Sequence, residues 1–479
     1  MKEKIGNNYL LFLNILVVVY SFYVFLSVFQ ERAILTDDLA GFYVLESVPA
    51  SYFSYLYTFL DSQIMAARPV SGIVTGTLTF LSRNNDSVYF LGMLFFPLSL
   101  MAIYWVGSKI LSKELAGLMT LLYSCSLIGT SIQFSTIMLN SNLATIFFAL
   151  SIYYAYIRKS ILISSLFFIA SVFSYEIFLP LLLLPLFLIK ENKDRIIFAI
   201  LTLGTIFIFR KIIQPSIFVH SYQRDEVSKI FEYKRVVFVV MCAVKMFFRD
   251  FFEGIYKGIL NVRRMNIFEI ALSLAIPSVV YKIFSNYDFK GKEQDYKKLM
   301  IISFICILIG LSIYFFSSYI PTLFGFENRN LGAIRLFYTL FIIFGVIYLS
   351  LKMSWQSRTI SVFFAGIAFL FIITNISVKS SWIYASKFNN EIFSKLSVAL
   401  KENNIKAGNV CVDYDVFNEI KTNPNLTLRE PLFYKSWESP MLCKVNGIDP
   451  QKIHVYNVET QKDCTILFQY KNGKMNRSK

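Results

Sequence analysis

YLLFLNILVVVYSFYVFLSVF, residues 9–29, followed at once by QERAILTDD, residues 30–38, decides how the rest of the chain is read. The first run carries no charge and is long enough to cross a bilayer, for which about 20 apolar residues suffice. Lys2 and Lys4 precede it, which sets its start on the cytoplasmic side. The run ends in Gln30-Glu31-Arg32 and not in an Ala-x-Ala cleavage pattern, so an uncleaved first helix is expected. The polar stretch from Gln30 to Gly72 then opens on the outer side. It presents Asp37, Asp38, Glu46, Asp61 and Arg68-Pro69 before apolar sequence resumes near Val88.

Composition agrees with a membrane protein. Of 479 residues 56% are hydrophobic and only 16% charged, far from the balance of a soluble domain. A net charge of +16 would point to nucleic acid in a soluble chain. Here Lys and Arg gather at the ends of apolar runs, where they fix orientation and meet anionic lipid headgroups, so no nucleic-acid partner is expected. Crossings are expected at Val88 to Trp105, Leu115 to Phe134 and Leu143 to Ile157. Lys109, Lys113, Arg158 and Lys159 mark their cytoplasmic ends. Ser135, Asn140, Ser141 and Asn142 read as a short polar turn facing outward.

Ile161 to Ile189 is too long for one ordinary crossing. Ser174-Tyr175-Glu176 interrupts it and both flanks are basic, so it reads as a hairpin with Tyr175-Glu176 at the outer turn, or as one long tilted helix. Residues 214–264 mix charge with apolar sequence and read as an outer segment, amphipathic or re-entrant, against the membrane. Lys282, Lys290, Lys292, Lys297 and Lys298 anchor a cytoplasmic loop, and Glu327, Arg329 and Arg335 are delivered to the outer side. The expected fold is a polytopic α-helical membrane protein with about eleven crossings. A transmembrane region, 1–378, has an outer loop at 30–87; residues 379–479 form a small extracytoplasmic α+β unit, with strands near Asn409–Val412, Ile453–Tyr456 and Thr465–Phe468.

Three cysteines, Cys411, Cys443 and Cys464, fall in that last unit, and in an oxidising compartment one pair can close a disulfide that the sequence does not choose. His220 and His454 are too far apart to build a zinc cluster, and no metal is expected. The chain lacks GxxxxGK[ST], GxGxxG after a strand, HExxH and GxSxG, which removes the common nucleotide-dependent and hydrolytic classes. What remains is charge at the outer membrane edge. A partly desolvated carboxylate at Asp37 or Asp38 has the basicity to take a proton from a sugar hydroxyl, and either acid can equally cap the helix that follows. Arg68, with Arg249, Arg329 and Arg335 as further outer cations, suits phosphate oxygens through paired donors, or a lipid headgroup or a salt bridge.

A first helix followed by Thr36-Asp37-Asp38 in a large outer loop, Arg68-Pro69 later in that loop, many crossings and an outer C-terminal unit together resemble the polytopic GT-C glycosyltransferases. Within that superfamily the chain most resembles the serotype-converting O-antigen glucosyltransferases of enteric bacteria and their phages. The resemblance implies a bacterial inner-membrane enzyme with a periplasmic active site and no cofactor. Its donor would be undecaprenyl-phosphate glucose, made by a cytoplasmic sugar-to-lipid transferase and flipped by a small flippase; its acceptor would be the lipid-linked O-antigen repeat. It assigns the loop acids to Asp37 and Asp38 and the Arg-Pro to Arg68-Pro69, with Glu46, Tyr175, Glu176, Arg249, Glu327, Arg329 and Arg335 as further donor or acceptor contacts. Tyr175-Glu176 resembles the family's outer-turn pair, although related sequences often carry Gln at the second position. The alternatives are another lipid-phosphate-sugar transferase or an O-antigen polymerase, a polysaccharide transporter or flippase, and a non-catalytic envelope protein.

Overall fold

The computed structural model describes residues 2–44, 51–62, 65–83, 85–218, 233–289, 293–317, 319–461, 464–471 and 473–478, with the side chains of 2–7, 41–44 and 86 outside the description. Glu46, His220, residues 224–232, Lys290 and Lys292 therefore lie outside the described residues. Among the described residues eight helices are long and apolar enough to cross a membrane, and three shorter apolar helices accompany them. In lipid each backbone N–H and C=O must be satisfied within its own segment, and that demand makes these apolar runs helical.

Helix α1 (Lys2–Gln30) is followed by α2 (Asp37–Val44), α3 (Tyr52–Leu60) and α4 (Pro69–Leu81), so the expected outer loop is largely helical. A 3-10 stretch, Asp86–Leu94, leads into α5 (Phe95–Ile110), then α6 (Lys113–Cys125) and α7 (Leu139–Tyr153). α6 stops at Cys125, short of the crossing expected to reach Phe134. The polar residues after it do not form an outward turn: Ser135, Asn140, Ser141 and Asn142 are all buried. Ser135 lies at Asp38 of α2, while Asn140, Ser141 and Asn142 form the first turn of α7, where the Asn142 side chain donates to the Ile132 carbonyl at 3.1 Å.

The two readings of 161–189 are resolved. α8 (Ile161–Ser174) ends at Tyr175, which is extended, and the chain reverses through Glu176–Leu182 into α9 (Leu183–Leu188). α9 packs against Tyr154–Arg158 at the far end of α7, so the segment is a hairpin that returns to its starting side. α10 (Asn192–Ile208) and α11 (Gln214–Ile217) lead to an amphipathic pair, α12 (Tyr233–Lys245) and α13 (Phe251–Asn261), as expected for the outer segment. α14 (Ile267–Phe284) opens with a reciprocal capping box: Asn266 Oδ1 accepts from Glu269 N–H and Glu269 Oε2 from Asn266 N–H, both at 2.9 Å, which satisfies two of the helix's orphan donors. α15 (Glu293–Leu311) and α16 (Gly332–Lys352) form a closely packed pair.

α17 (Ser357–Glu402) runs without a break through residue 378. The expected domain boundary therefore falls inside a helix and not in a linker. Beyond it come β1 (Gly408–Asp413), α18 (Val416–Thr422), α19 (Ser439–Val445), β2 (Ile453–Asn457), β3 (Ile466–Lys471) and β4 (Lys474–Arg477). The sheet order is β2-β1-β3-β4, with β1 parallel to both neighbours and β4 antiparallel to β3. Lys474 and Arg477 lie on the edge strand β4, and Lys and Arg on an edge deter further strand pairing. Phe393 and Phe388 of α17 stack on Phe433 and Tyr414, so the hydrophobic core of this C-terminal unit is continuous with that of the bundle. Cys411 pairs with Cys464, and Cys443 stays free and buried.

Candidate functional site

Two non-glycine residues in the left-handed region, Arg32 at φ 46° and Thr36 at φ 49°, bound the turn between α1 and α2. That region is sparsely occupied by side-chain-bearing residues and is worth inspecting wherever it occurs. Thr36 is followed directly by Asp37 and Asp38, which open α2. The two carboxylates then part company.

Asp37 turns toward Arg329. Its Oδ2 accepts from Arg329 Nη1 at 2.6 Å, and the Arg329 guanidinium lies 4.1 Å over the Phe326 ring and 3.8 Å from Glu327. Asn330 donates through Nδ2 to Glu327 at 2.8 Å and accepts from the Tyr175 hydroxyl at 2.6 Å. Over the Tyr175 ring, at 4.5 Å, stands the Arg68 guanidinium, whose Nε and Nη2 donate to the two Glu176 oxygens at 2.7 and 2.5 Å. Six of the expected site residues are thus joined in one chain of contacts, with Asn330 as its middle link. Nothing in the sequence singled out Asn330.

Local structure explains why these side chains converge. Arg68 precedes Pro69, and the proline ring keeps the preceding residue out of the helical region while Pro69 itself takes the first position of α4. The Ser71 hydroxyl donates to the Ser174 carbonyl at 2.8 Å, pinning the start of α4 to the end of α8. Gly325, at φ 67°, turns the chain into the Phe326–Leu331 3-10 helix that carries Glu327, Arg329 and Asn330. Side-chain exposure is 12% for Arg329, 14% for Arg68, 22% for Glu176 and 29% for Asp37. The pairs are therefore largely shielded, where charge-assisted hydrogen bonds are stronger than in open water.

Compared with known proteins, the chain matches no family model, no curated protein and no solved structure. The chemistry of the site therefore has to carry the functional reading.

Asp38 points the other way and is 1% exposed. Its Oδ1 accepts from the Tyr89 hydroxyl at 2.8 Å and from the Ile137 N–H at 3.0 Å. Burial pushes its carboxyl up to about 6 against the opposing pull of Ser135, Ile137 and Tyr89. Ser135 favours the charged form through its hydroxyl but completes no hydrogen bond of ordinary geometry with Oδ2. Asp37 is accessible and ion-paired; Asp38 is sealed in and ties α2 to Tyr89 and to the turn at Ile137.

Three further expectations separate from the cluster. Arg335, expected as an outer cation, is fully buried in α16. It donates to the carbonyls of Tyr123, Gly129 and Ser124 at 2.8, 2.7 and 3.3 Å, capping the buried C-terminal end of α6 and the turn beyond. It is spent on backbone and offers nothing to a ligand. Arg249 is surface-exposed beside Asp250, near a second charged group in which Arg429 pairs with Glu253 at 2.9 Å and Lys257 lies 3.6 Å from Glu253. Glu46 lies outside the described residues.

A buried ion pair that the sequence reading did not anticipate lies between α14 and α17. Lys379 donates to Glu269 at 2.5 Å, and both side chains are 5% exposed. The Tyr23 hydroxyl of α1 completes the group with a bond to Glu269 at 2.8 Å. The C-terminal unit overlies the site, since α19 and residues 436–438 pack on α2. Between this unit and the bundle a cavity of about 10 Å³, lined by Phe134, Trp382, Asn328 and Glu430 among others, has room for one water and no more.

Proposed function

We propose that the protein is a membrane-embedded glycosyltransferase that moves a sugar from a polyprenyl phosphate to a saccharide hydroxyl at the outer membrane face, with undecaprenyl-phosphate glucose as donor and lipid-linked O-antigen as acceptor. The observation that carries this reading is the Asp37–Arg329–Glu327–Asn330–Tyr175–Arg68–Glu176 network at one end of an apolar helical bundle. A lipid-linked donor presents its phosphate and sugar at that depth. In this reading the eight long helices, with α6, α8 and the Glu176–Leu188 segment, make eleven crossings, and the C-terminal unit lies in the periplasm above the inner membrane.

Asp37 is the better base on access. It takes the proton of the acceptor hydroxyl, the oxygen attacks the anomeric carbon, and the bond from that carbon to the phosphate oxygen breaks with its electron pair leaving on the lipid phosphate. As Asp37 is protonated it ceases to neutralise Arg329. That guanidinium, left with only the more distant Glu327 at 3.8 Å, then turns more of its positive charge to the developing phosphate charge, the arrangement that lowers a barrier most when water is excluded. A single displacement inverts the anomeric carbon. Asp38 is a positioning residue in this scheme, since it holds α2 and touches no substrate.

The test is purified protein in lipid nanodiscs with undecaprenyl-phosphate glucose and lipid-linked O-antigen repeats, with product followed by mass spectrometry and linkage by NMR. Mass gain on the acceptor that requires both substrates supports the reading; its absence with active, folded protein and a panel of polyprenyl-phosphate sugars rejects it. A second reading, transport of a lipid-linked saccharide, draws on the buried Glu269–Lys379 pair, because ionised groups between membrane helices often mark translocation paths. Movement of labelled lipid across proteoliposomes without covalent transfer would favour that reading.

A further inference from the structure

Both donors on one edge of the Arg68 guanidinium are occupied by Glu176. This paired geometry suits one carboxylate or one phosphate, and not both at once. Two features make the partners unequal. Arg68 is backed by the Tyr175 ring at 4.5 Å and anchored ahead of Pro69, so it stays in place when its partner leaves. Glu176 sits just after the extended break at Tyr175, and among the described residues no side chain other than Arg68 hydrogen-bonds to it.

The surroundings favour a lipid phosphate as the exchange partner. Arg210 lies within electrostatic reach of both Arg68 and Glu176, so a second guanidinium acts on whichever anion holds the Arg68 edge. Just past Arg210 the chain turns apolar side chains outward: Ile212 and Ile213 are both exposed. An anion alone needs no such flank, whereas a phosphate on a hydrocarbon tail buries it.

We propose that Glu176 is a built-in competitor that occupies the guanidinium edge of Arg68 until the phosphate of a polyprenyl phosphate displaces it. The exchange rests on the reading of the protein as a lipid-phosphate-dependent transferase and adds a selection step to it. A ligand must bind Arg68 better than a carboxylate already in place, so neutral polyprenols and weak anions are refused. The cost of discrimination is paid in affinity, and removing the competitor returns it.

The experiment uses the full chain in nanodiscs and measures binding of undecaprenyl phosphate, undecaprenol and inorganic phosphate, with thermal unfolding recorded alongside. Glu176→Gln is expected to unfold at lower temperature without ligand, because Arg68 loses its charged partner. It is expected to bind undecaprenyl phosphate roughly tenfold more tightly than the wild type and to be stabilised by it by a correspondingly larger shift. Undecaprenol should gain nothing, and Arg68→Gln should lose binding in either background. If Glu176→Gln does not fold, Glu176→Asp, which keeps the charge but shortens the reach, should show a smaller gain of the same sign. Equal or weaker binding of undecaprenyl phosphate by the folded variants overturns the competitor role while leaving the transferase reading intact. Absence of undecaprenyl phosphate binding in the wild type and every variant overturns both, and the same gain for inorganic phosphate alone overturns the lipid as ligand.

Discussion

Adjacent acids at the start of a helix are chemically alike in the sequence and opposite in the structure. Successive residues in a helical turn point about 100° apart, so Asp37 reaches Arg329 while Asp38 is driven into the Tyr89–Ile137 interior. Replacing Asp37 by Asn is expected to lower sugar transfer at least about 100-fold, the scale of a lost general base, and to lower the unfolding temperature as well, because the shielded Arg329 loses its charged partner; transfer measured on the folded variant checks it. Asp38→Asn should act through stability and pH. The folded state raises the Asp38 carboxyl from 3.8 to about 6, so its neutral form is favoured on folding. That contribution is complete below the unfolded value and is lost as pH rises through about 6. Thermal unfolding of the wild type should therefore show a fall across that window which the Asn variant lacks, and an identical pH profile in the two proteins would contradict the assignment.

At the scale of elements, the site depends on where helices stop. α8 ends at Tyr175 and α6 at Cys125, and these breaks present Glu176 and the buried turn under α2. α17 does the opposite and continues past the fall in hydropathy, so its first part lies in the bundle and its last turns form a layer under the sheet. Against it lies α13, where Gly258 meets Thr374 so closely that an added Cβ would stand 2.5 Å from the threonine hydroxyl and 2.8 Å from its backbone Cα. The Asn261 side chain donates to Ser377 at 2.9 Å one turn further on. Gly258→Val should therefore push α13 off α17 and destabilise the protein by about 1–3 kcal/mol, the usual cost of overpacking. A chemical denaturation series would show this, and unchanged stability would mean that the two helices do not pack so tightly.

For the whole molecule, the seam between the bundle and the C-terminal unit buries the carboxyl of Glu430, where the charge of Lys257 is outweighed by the loss of water. Glu430 accepts from the Leu428 N–H, at 3.1 and 3.2 Å, and burial pushes its carboxyl up to about 8 against the pull of backbone N–H groups and of Lys257. The stability of its neutral form is lost as pH rises through that value. Glu430→Gln should accordingly raise the unfolding temperature at pH 9 relative to the wild type and leave it almost unchanged at pH 5. Because α19 and residues 436–438 rest on α2, loosening this seam at high pH also loosens the cover over Asp37. The disulfide bears on topology as well: Cys411 is bonded and buried, so thiol labelling at that position reports its side of the membrane only after reduction.

Much of this was legible in the chain. Apolar runs long enough to cross, basic turns between them, the hairpin flanked by positive charge at 161–189 and three of the four strands follow from periodicity and charge, because a bilayer imposes its own length and allows few backbone solutions. Asp37, Arg68, Tyr175, Glu176, Glu327 and Arg329 were visible as polar residues outside apolar runs. Their union was not, since it depends on Asn330 bridging segments more than a hundred residues apart, a contact that no local pattern records. Arg335 shows the reverse limit: a charged residue near a helix end reads as surface, yet buried carbonyls left by a helix stop need donors, and only the packed bundle decides which residue supplies them. The sequence by itself determined the membrane class and the residues available for chemistry; the tertiary structure decided which carboxylate stays accessible and which is sealed inside, because packing and not local pattern sets burial.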